Sequence, residues 1–173
     1  GEQGVPDDGR IAARRARAYE DLAGRLREEP NVTHVTYGDQ LPTMSPDWVA
    51  VEMEQNGAPP ARLHGNYEGG FAMAAVGPGY HDAFAARIVA GRALQAADAG
   101  APNGSVVVNE AFVRVVGRNP VGARVRTLQR GGERELGPWH EIVGVVSDLW
   151  TLPADWSGAA YIYRAASVAE LDP

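Results

Sequence analysis

A chain of 173 residues fits one domain or two small subdomains, and it can bury roughly 70% of its unfolded surface without a disulfide or a metal. The formal net charge of -6 argues against a general nucleic-acid binder, which needs a basic face to neutralise phosphates. The absence of cysteine excludes a disulfide framework, a zinc knuckle and a thiol nucleophile, and it is compatible with an oxidising compartment.

The first third of the chain contains one helix pattern followed by strand patterns. Apolar residues at helical spacing predict a helix from about 10 to 28, which Pro30 ends. A run of β-branched residues at 32–37 predicts a strand packed beside that helix, as in half of a βαβ unit. Alternation at 49–54 predicts a strand with one solvent-facing side, and an Asn-Gly turn then leads into a hairpin with a long loop.

The middle of the chain repeats a strand-to-helix arrangement. The apolar run 71–76 predicts a buried strand, and Gly77-Pro78-Gly79 breaks it before a short helix at about 80–86. A second run, 105–108, predicts a strand that is followed by a helix at 110–116. Asn109 is placed to cap that helix, and this role explains Asn109 without a catalytic function.

The last third contains mainly strand patterns. Residues 121–128 and 141–146 predict two strands, with an exposed hairpin tip at 130–138 between them. One more strand is expected at 159–163. The mixture of strands and short helices predicts an α/β sandwich of two interleaved subdomains.

Several short blocks occur in a characteristic order between Ala16 and Tyr163. They are Glu29-Pro30-Asn31-Val32, Leu41-Pro42, Gly79-Tyr80, Gly91-Arg92 with Asp98, Val108-Asn109-Glu110-Ala111-Phe112, Pro120-Val121-Gly122 and Ile142-Val143-Gly144-Val145-Val146. In this order, the blocks resemble the extracytoplasmic core domain of MacB-like, FtsX-like ABC transporter permeases. The sequence departs from the pattern at His81, at Val115-Val116-Gly117 and in lacking a strand before the first helix.

Each block also has a local structural interpretation. Gly79 and Gly91 are expected to adopt a positive φ or to allow a close backbone approach. Pro120 and Gly122 predict a turn, and Gly144 predicts a point where another element crosses the strand. These are structural roles, and they suit a domain with a mechanical function.

The resemblance implies that residues 1–173 form one extracytoplasmic permease core domain. A porter-like subdomain of βαβ units would comprise 1–76 with 151–173, and a smaller, strand-rich sabre-like subdomain would comprise 77–150. The domain would lie on the periplasmic side of a bacterial cell membrane, between the first two transmembrane helices. It would be no enzyme and would couple cytoplasmic ATP hydrolysis to transport or mechanotransmission outside the membrane.

The resemblance also implies the partners of the domain. ATP would be bound by a separate nucleotide-binding domain or subunit, so no cofactor and no metal is expected in this domain. The partners would be that ATP-binding subunit or domain, the permease's own transmembrane helices, and a second permease copy or a periplasmic adaptor. No nucleic acid is expected among them.

The sequence itself contains no catalytic motif. The four histidines, at positions 34, 64, 81 and 140, lack the spacing of metal ligands. The chain has no lysine, which excludes a Gly-Lys phosphate loop, and no serine lies in a Gly-x-Ser-x-Gly elbow. No stretch approaches the ~20 apolar residues that cross a bilayer.

Two tryptophans are the candidate contact residues for a partner or ligand. Trp150 and Trp156 lie near Pro153, and aromatic side chains in such a segment anchor partners or apolar ligands. They would serve equally well as the core of a small subdomain. The alternatives to a permease domain are therefore a free periplasmic binding module for an apolar ligand or protein partner, and a small hydrolase of unrecognised type.

Overall fold

The computed structural model describes residues 8–42, 44–101, 104–128, 136–149 and 158–171. The described helices are α1 (Asp8–Glu28), α2 (Tyr80–Ala83) and α3 (Glu110–Val116). The described strands are β1 (Asp47–Glu54), β2 (Ala61–Arg62), β3 (Phe71–Val76), β4 (Ile88–Gly91), β5 (Ser105–Asn109), β6 (Arg124–Leu128), β7 (His140–Val146) and β8 (Tyr161–Ala165). The predicted mixed α/β fold class is confirmed.

Six of the strands form a closed, hydrogen-bonded ring. The ring runs β1, β3, β8, β5, β7 and β6, and β6 pairs again with β1. The pairs β3–β8 and β5–β7 are parallel, and the other four are antiparallel. β2 and β4 lie outside the ring, where β2 pairs with β1 and β4 pairs with β7. Ring closure gives the sheet an interior and an exterior face.

The main core fills the interior of the ring. Successive side chains of a strand point to opposite faces, so alternate residues of each ring strand point inward. The fully or almost fully buried members from the ring strands are Val51, Met53, Phe71, Val106, Val108, Val125, Ile142, Val145 and Ile162. Their β-branched and aromatic character is the reason that these segments form strands.

Helix α3 closes one end of the ring. It follows β5 without a loop and turns Ala111 and Phe112 into the core, where both are fully buried. The ring of Phe112 lies 5.2 Å from that of Phe71, measured between centroids. We call this end the plugged end. At the opposite end, β1, β5 and β7 begin and β3, β6 and β8 finish.

The exterior face carries a second buried layer. Ala72, Val107 and Tyr163 point outward from β3, β5 and β8, and they are buried beneath Tyr80 of α2 and its neighbours. Tyr80 is itself 3% exposed, and its hydroxyl donates a hydrogen bond to the carbonyl of Gln40. We call this the outer layer.

Helix α1 is only partly enclosed by the rest of the described structure. Ile11, Tyr19 and Leu22 remain 51%, 50% and 51% exposed, although they share one helical face. The helix packs against a short 3-10 turn, Val168–Glu170, that follows β8. Among the described residues, no helix is long and apolar enough to cross a membrane.

The predicted strand at 32–37 is wrong. Strand β3 pairs with β1 only at residues 71–73. Its residues beyond 73 are therefore not paired with β1 along that edge. Residues 37–39 pair with that part of β3 through a single bridge, Gly38 to Val76, and through flanking backbone hydrogen bonds to Gly77 and Ala75. So short a ladder does not sustain a strand, and helix α1 is therefore not followed by one.

Other predicted bounds shift by a few residues. Helix α2 ends at Ala83 instead of 86, since Ala85 adopts a φ of +55° that no helix continues. β6 begins at Arg124 because 120–122 form a turn, and β8 covers 161–165 instead of 159–163. Residues 130–135 of the predicted hairpin tip lie outside the described residues.

The ring includes strands from both predicted subdomains. β1, β3 and β8 come from the segments 1–76 and 151–173, while β5, β6 and β7 come from 77–150. These strands are hydrogen-bonded in one sheet. The division into porter-like and sabre-like subdomains stays a prediction.

Candidate functional site

The two predicted contact residues, Trp150 and Trp156, lie outside the described residues. Trp139 is described, and its ring lies against the guanidinium groups of Arg126 and Arg124, at 4.4 and 5.6 Å from the ring centroid. Both arginines form ion pairs across to β1, Arg126 with Glu52 and Arg124 with Glu54. Trp139 therefore covers a charged ladder on the outside of the sheet.

Asn109 has the structural role that its position predicted. Its Oδ1 accepts hydrogen bonds from the backbone N–H groups of Phe112 at 3.1 Å and Tyr161 at 2.8 Å. Its Nδ2 donates to the carbonyl of Ala159 at 2.9 Å. The N-cap prediction is confirmed, and the side chain additionally ties α3 to the start of β8.

His81 is buried in an aromatic environment. It is 4% exposed, and its ring meets that of Tyr163 edge-on, with centroids 4.6 Å apart. Among the described residues, its Nε2 has no hydrogen-bond partner. Burial lowers the pKa of His81 to about 4, against a smaller opposing effect of the Asp82 carboxylate. His81 is therefore a neutral packing residue of the outer layer at pH 7.

His140 also lies in a buried position, with its Nδ1 3.2 Å from the carbonyl oxygen of Gly104. Burial lowers its pKa; the hydrogen bond to Gly104 raises it, and the nearby Arg164 cation lowers it. Across the part of the chain that the structure describes, no three His, Cys, Asp or Glu residues are grouped to hold a metal ion.

Two glycines allow the chain at the end of β4 to pass over its neighbour β7. A Cβ on Gly144 would lie 2.1 Å from the carbonyl oxygen of Arg92, and one on Gly91 would lie 2.2 Å from that of Val143. Gly91 also has a φ of +67°, and Gly79 has a φ of +73°. The predicted crossing at Gly144 and the predicted positive φ at Gly79 and Gly91 are confirmed.

Arg92 and Asp98 form a bidentate pair. The guanidinium nitrogens donate to the two carboxylate oxygens at 2.7 and 2.9 Å. This hydrogen bond lowers the pKa of Asp98 well below its usual range, despite the opposing effect of burial. Asp98 also accepts from the N–H of Gln95, so the pair fixes the connection between β4 and β5.

A large concave surface of the described residues lies beside the open end of the ring. It is a groove of about 1360 Å³ between β1, the loop after β2, and the β6–β7 hairpin. Its lining includes Trp48, Val49, Glu52, Arg62, His64, Tyr67, Glu68, Met73, Arg126, Thr127, Leu128, Leu136, Pro138, His140 and Arg164. We call this surface the groove.

Aromatic and apolar groups cover one part of the groove. The rings of Trp48 and Tyr67 stack with centroids 4.7 Å apart and planes inclined by 13°. Met73 and Val49 belong to inward-facing rows of their strands, and Leu128 and Leu136 lie where the hairpin strands separate. Such an aromatic platform beside aliphatic groups is typical of surfaces that take up apolar molecules.

Arg164 contributes a cation to the same groove. It shares the inward-facing row of β8 with Ile162, but it lies near the open end, where it is only partly buried. Reasoning from the sequence missed this residue. The available indication was a single charge within the otherwise apolar run Tyr161–Ala166.

The sequence matches no protein-family model and no curated protein. Among solved structures, the chain is similar to the periplasmic region of MacB from Actinobacillus actinomycetemcomitans, with 18% identity and a TM-score of 0.51 over 86% of this chain and 55% of that one. It is also similar to a domain of a putative permease protein from Porphyromonas gingivalis, with 19% identity and a TM-score of 0.49 over 88% of this chain and 62% of that one.

A third similar structure is the extracellular domain of the noncanonic ABC-type transporter YknZ from Gram-positive bacteria, with 14% identity and a TM-score of 0.47 over 84% of this chain and 61% of that one. The chain spans less than two thirds of the length of each of these three structures. The comparison with the MacB region shows that the two share a fold. The resemblance predicted from the sequence is confirmed at that level.

Proposed function

We propose that this chain is the non-catalytic extracytoplasmic domain of an ABC transporter permease. In this function, it couples ATP hydrolysis by a cytoplasmic subunit or domain, through transmembrane helices, to transport or force transmission outside the membrane. The observation that carries the proposal is the fold shared with the MacB periplasmic region over 86% of the chain. The remaining parts, which are the membrane location, the ATPase partner and the coupling, are inferred from that class of protein.

The construction of the ring supports a mechanical function. Each ring strand pairs with a neighbour on both sides over part of its length, and α3 fills one end, so the strands are held as a unit. Two sets of polar contacts, those of Asn109 and those of the Arg92–Asp98 pair, fix backbone connections. Helix α1 and the 168–170 turn, the first and last described elements, pack against each other. That contact would let these two segments receive one movement.

The first test concerns the gene on both sides of this segment. The proposal predicts spans of about 20 apolar residues shortly upstream and downstream, with further spans beyond the downstream one. A signal peptide followed directly by this domain and a stop codon would contradict the proposal. The free periplasmic binding module would then be the better assignment.

A second test places the domain relative to the membrane. Because the 173 residues contain no cysteine, single cysteines introduced here are specific positions for labelling within the segment. In the full-length protein, Ala58→Cys in an exposed turn should react with a membrane-impermeant maleimide added to intact spheroplasts. Val107→Cys, at a fully buried position, is the matched control and should stay unlabelled until the protein is denatured.

One labelling result would contradict the proposed location of the domain. If Ala58→Cys reacts only after the spheroplasts are lysed, the domain lies on the cytoplasmic side, and the proposal is wrong. Native purification of the full-length protein should also retain an ATP-binding subunit, unless the same chain contains the ATPase.

The free periplasmic binding module remains the second candidate, and the groove is the observation that favours it. A surface with a stacked Trp48–Tyr67 pair and aliphatic neighbours is suited to a ligand whether or not the domain is attached to a membrane. The gene test separates the two candidates, because only the permease requires flanking membrane spans.

A further inference from the structure

The guanidinium of Arg164 has unused hydrogen-bonding capacity. An arginine side chain carries five N–H donors. Within the described residues, Arg164 Nη1 makes two long contacts, 3.4 Å to the carbonyl oxygen of Ala165 and 3.8 Å to Glu170 Oε1. Arg92, by comparison, binds both oxygens of Asp98 at 2.7 and 2.9 Å. Arg164 therefore keeps donors that another acceptor could occupy.

Glu170, the ion-pair partner, is held mainly by other groups. Its Oε2 accepts hydrogen bonds from the N–H and the hydroxyl of Ser167, at 2.7 and 2.8 Å, as part of a capping box. Glu170, Asp39 and Asp47 line a separate cavity of about 350 Å³, which Arg164 also borders. None of these three carboxylates lines the groove. The carboxylates described around Arg164 thus line the smaller cavity, and the described carboxylates of the groove are Glu52 and Glu68.

The balance of charge along the groove differs from that of the whole chain. Its lining contains three arginines and two glutamates, whereas the chain carries a formal net charge of -6. Glu52 lies opposite Arg62 in the β1–β2 pair and also pairs with Arg126 in β6. Among the described residues, no carboxylate forms an ion pair with Arg62. The groove is consequently a locally cationic surface on an acidic protein.

The groove as a whole is much larger than a small anion requires. Its volume of about 1360 Å³ exceeds the ~300–1,000 Å³ of usual small-molecule pockets. Met73 and Val49 lie in the same inward-facing region as Arg164, and the Trp48–Tyr67 stack continues the apolar surface outward. A molecule that contacts Arg164, Met73 and the Trp48–Tyr67 stack together needs an anionic group joined to an elongated apolar part.

We propose that the groove binds an elongated amphiphile with a single anionic head group. The carboxylate or phosphate of the head accepts hydrogen bonds from Arg164 at the open end of the ring. The apolar body lies along Met73 and toward the Trp48–Tyr67 stack. This inference does not depend on the proposed permease function, because a binding site in the domain is possible with or without flanking membrane spans.

Calorimetric titration of the 173-residue chain tests the charge selectivity. Dodecanoate, used below its critical micelle concentration, should bind saturably at one site per chain. Dodecyltrimethylammonium has the same tail and the opposite charge, and acetate has the same head without the tail. Both should bind at least roughly tenfold more weakly, since each lacks one of the two contacts.

Methyl NMR locates the binding site within the unaltered protein. The chain contains three methionines, and only Met73 lines the groove. Dodecanoate should shift the Met73 methyl signal, while Met53 in the buried core and Met44 at an exposed position away from the groove should stay unchanged. The three signals therefore provide an internal control for nonspecific detergent effects.

Arg164→Gln removes the charge at nearly the same length and should weaken dodecanoate binding by roughly tenfold or more. Arg25→Gln on α1 makes the same chemical change outside the groove and should leave the affinity unchanged. Equal binding of the anionic and cationic amphiphiles, a shift of Met44 as large as that of Met73, or unchanged affinity in Arg164→Gln would each overturn the inference. If Arg164→Gln does not fold, the head-group comparison and the methionine shifts decide it on the unaltered chain.

Discussion

The two ends of the strand ring are built from opposite kinds of contact. At the plugged end, Phe112 of α3 packs against Phe71, and the side-chain oxygen and nitrogen of Asn109 both form buried hydrogen bonds. At the open end, Arg164 makes only long contacts among the described residues, and a groove replaces a helix.

This contrast indicates where the protein gains stability and where it keeps surface for binding. A buried polar group contributes to folding when every partner is satisfied, and it is expensive to disturb. A partly exposed cation with free donors contributes little to folding but can bind an anion. Substitutions at the plugged end should therefore affect unfolding, and those at the open end should affect ligand affinity.

Phe112→Ala should have the largest effect and tests the plugged end directly. The side chain is fully buried, so its loss removes apolar contacts and leaves a cavity, at a cost of about 3–5 kcal/mol in the free energy of unfolding. Urea denaturation monitored by circular dichroism measures this cost. Phe84→Ala, at a position 39% exposed, is the control and should cost about 1 kcal/mol or less. Equal losses of unfolding free energy in the two variants would show that the buried Phe112 side chain is not a major source of stability at the plugged end.

Asn109→Ala should destabilise the protein by about 3 kcal/mol. The change removes the helix cap, worth about 1 kcal/mol, and it leaves the N–H of Tyr161 and the carbonyl of Ala159 buried without their partner. Asn119→Ala is the matched control, because the exposed Asn119 side chain accepts one local hydrogen bond among the described residues, from the N–H of Val121. A loss below about 1 kcal/mol in Asn109→Ala would show that water or a backbone shift satisfies these groups.

His81 belongs to the outer layer, and its contribution to the free energy of unfolding depends on pH. The folded protein lowers the pKa of His81 to about 4, so the unfolded chain binds its proton first as the pH falls. The stabilising effect is complete above pH 6.5 and is lost progressively toward pH 4, by about 2–3 kcal/mol. The groups facing His81 are Tyr80, Tyr163 and the Asp82 carboxylate.

Denaturation at pH 7, 5.5 and 4 measures this effect against a variant. His81→Phe keeps an aromatic ring but cannot titrate, so it should lose less stability than the unaltered protein between pH 7 and pH 4. His34→Phe, at an exposed position, should keep the original pH dependence. If His81→Phe has an unchanged pH profile, the histidine is not held neutral by the fold.

Arg164→Gln should have the smallest effect on stability, about 0.5 kcal/mol or less, because its contacts are long and its side chain is partly exposed. Thermal denaturation without ligand measures this value. A loss above about 2 kcal/mol would show that the Glu170 contact supports the fold. The contrast between the two ends would then be wrong.

Local features of the fold were predictable from the sequence because their causes are local. Asn109 sits between a β-branched run and a helix pattern, and the N-cap follows from those neighbours. Gly144, inside an apolar strand, predicted a crossing, and the bounds of α3 agree with the predicted 110–116. The resemblance of the ordered blocks led to the same fold as the structural comparison.

Features that depend on distant pairing were not predictable in this way. The segment 32–37 has strand propensity, but among the described residues the chain meets a sheet edge here only at 37–39, on the short edge of β3 that β1 leaves free. Gly144 indicated that some element crosses there, but the identity of that element, the backbone of Arg92, follows only from the distant pairing of β4 with β7. The charge of Arg164 was visible in the sequence, but its position at the open end follows from ring closure.

Closure of the ring also has a consequence for the speed of folding. β1 meets β6, and β3 meets β8, across sequence separations of roughly 70 and 90 residues, so few ring contacts are local. Chains dominated by such distant pairings fold on the scale of roughly milliseconds to seconds, because large loops must close before the contacts form. During that interval, strand edges that the finished ring conceals are exposed to other chains. A domain of this type is thus expected to depend, while it is being made, on low local concentration or on a chaperone.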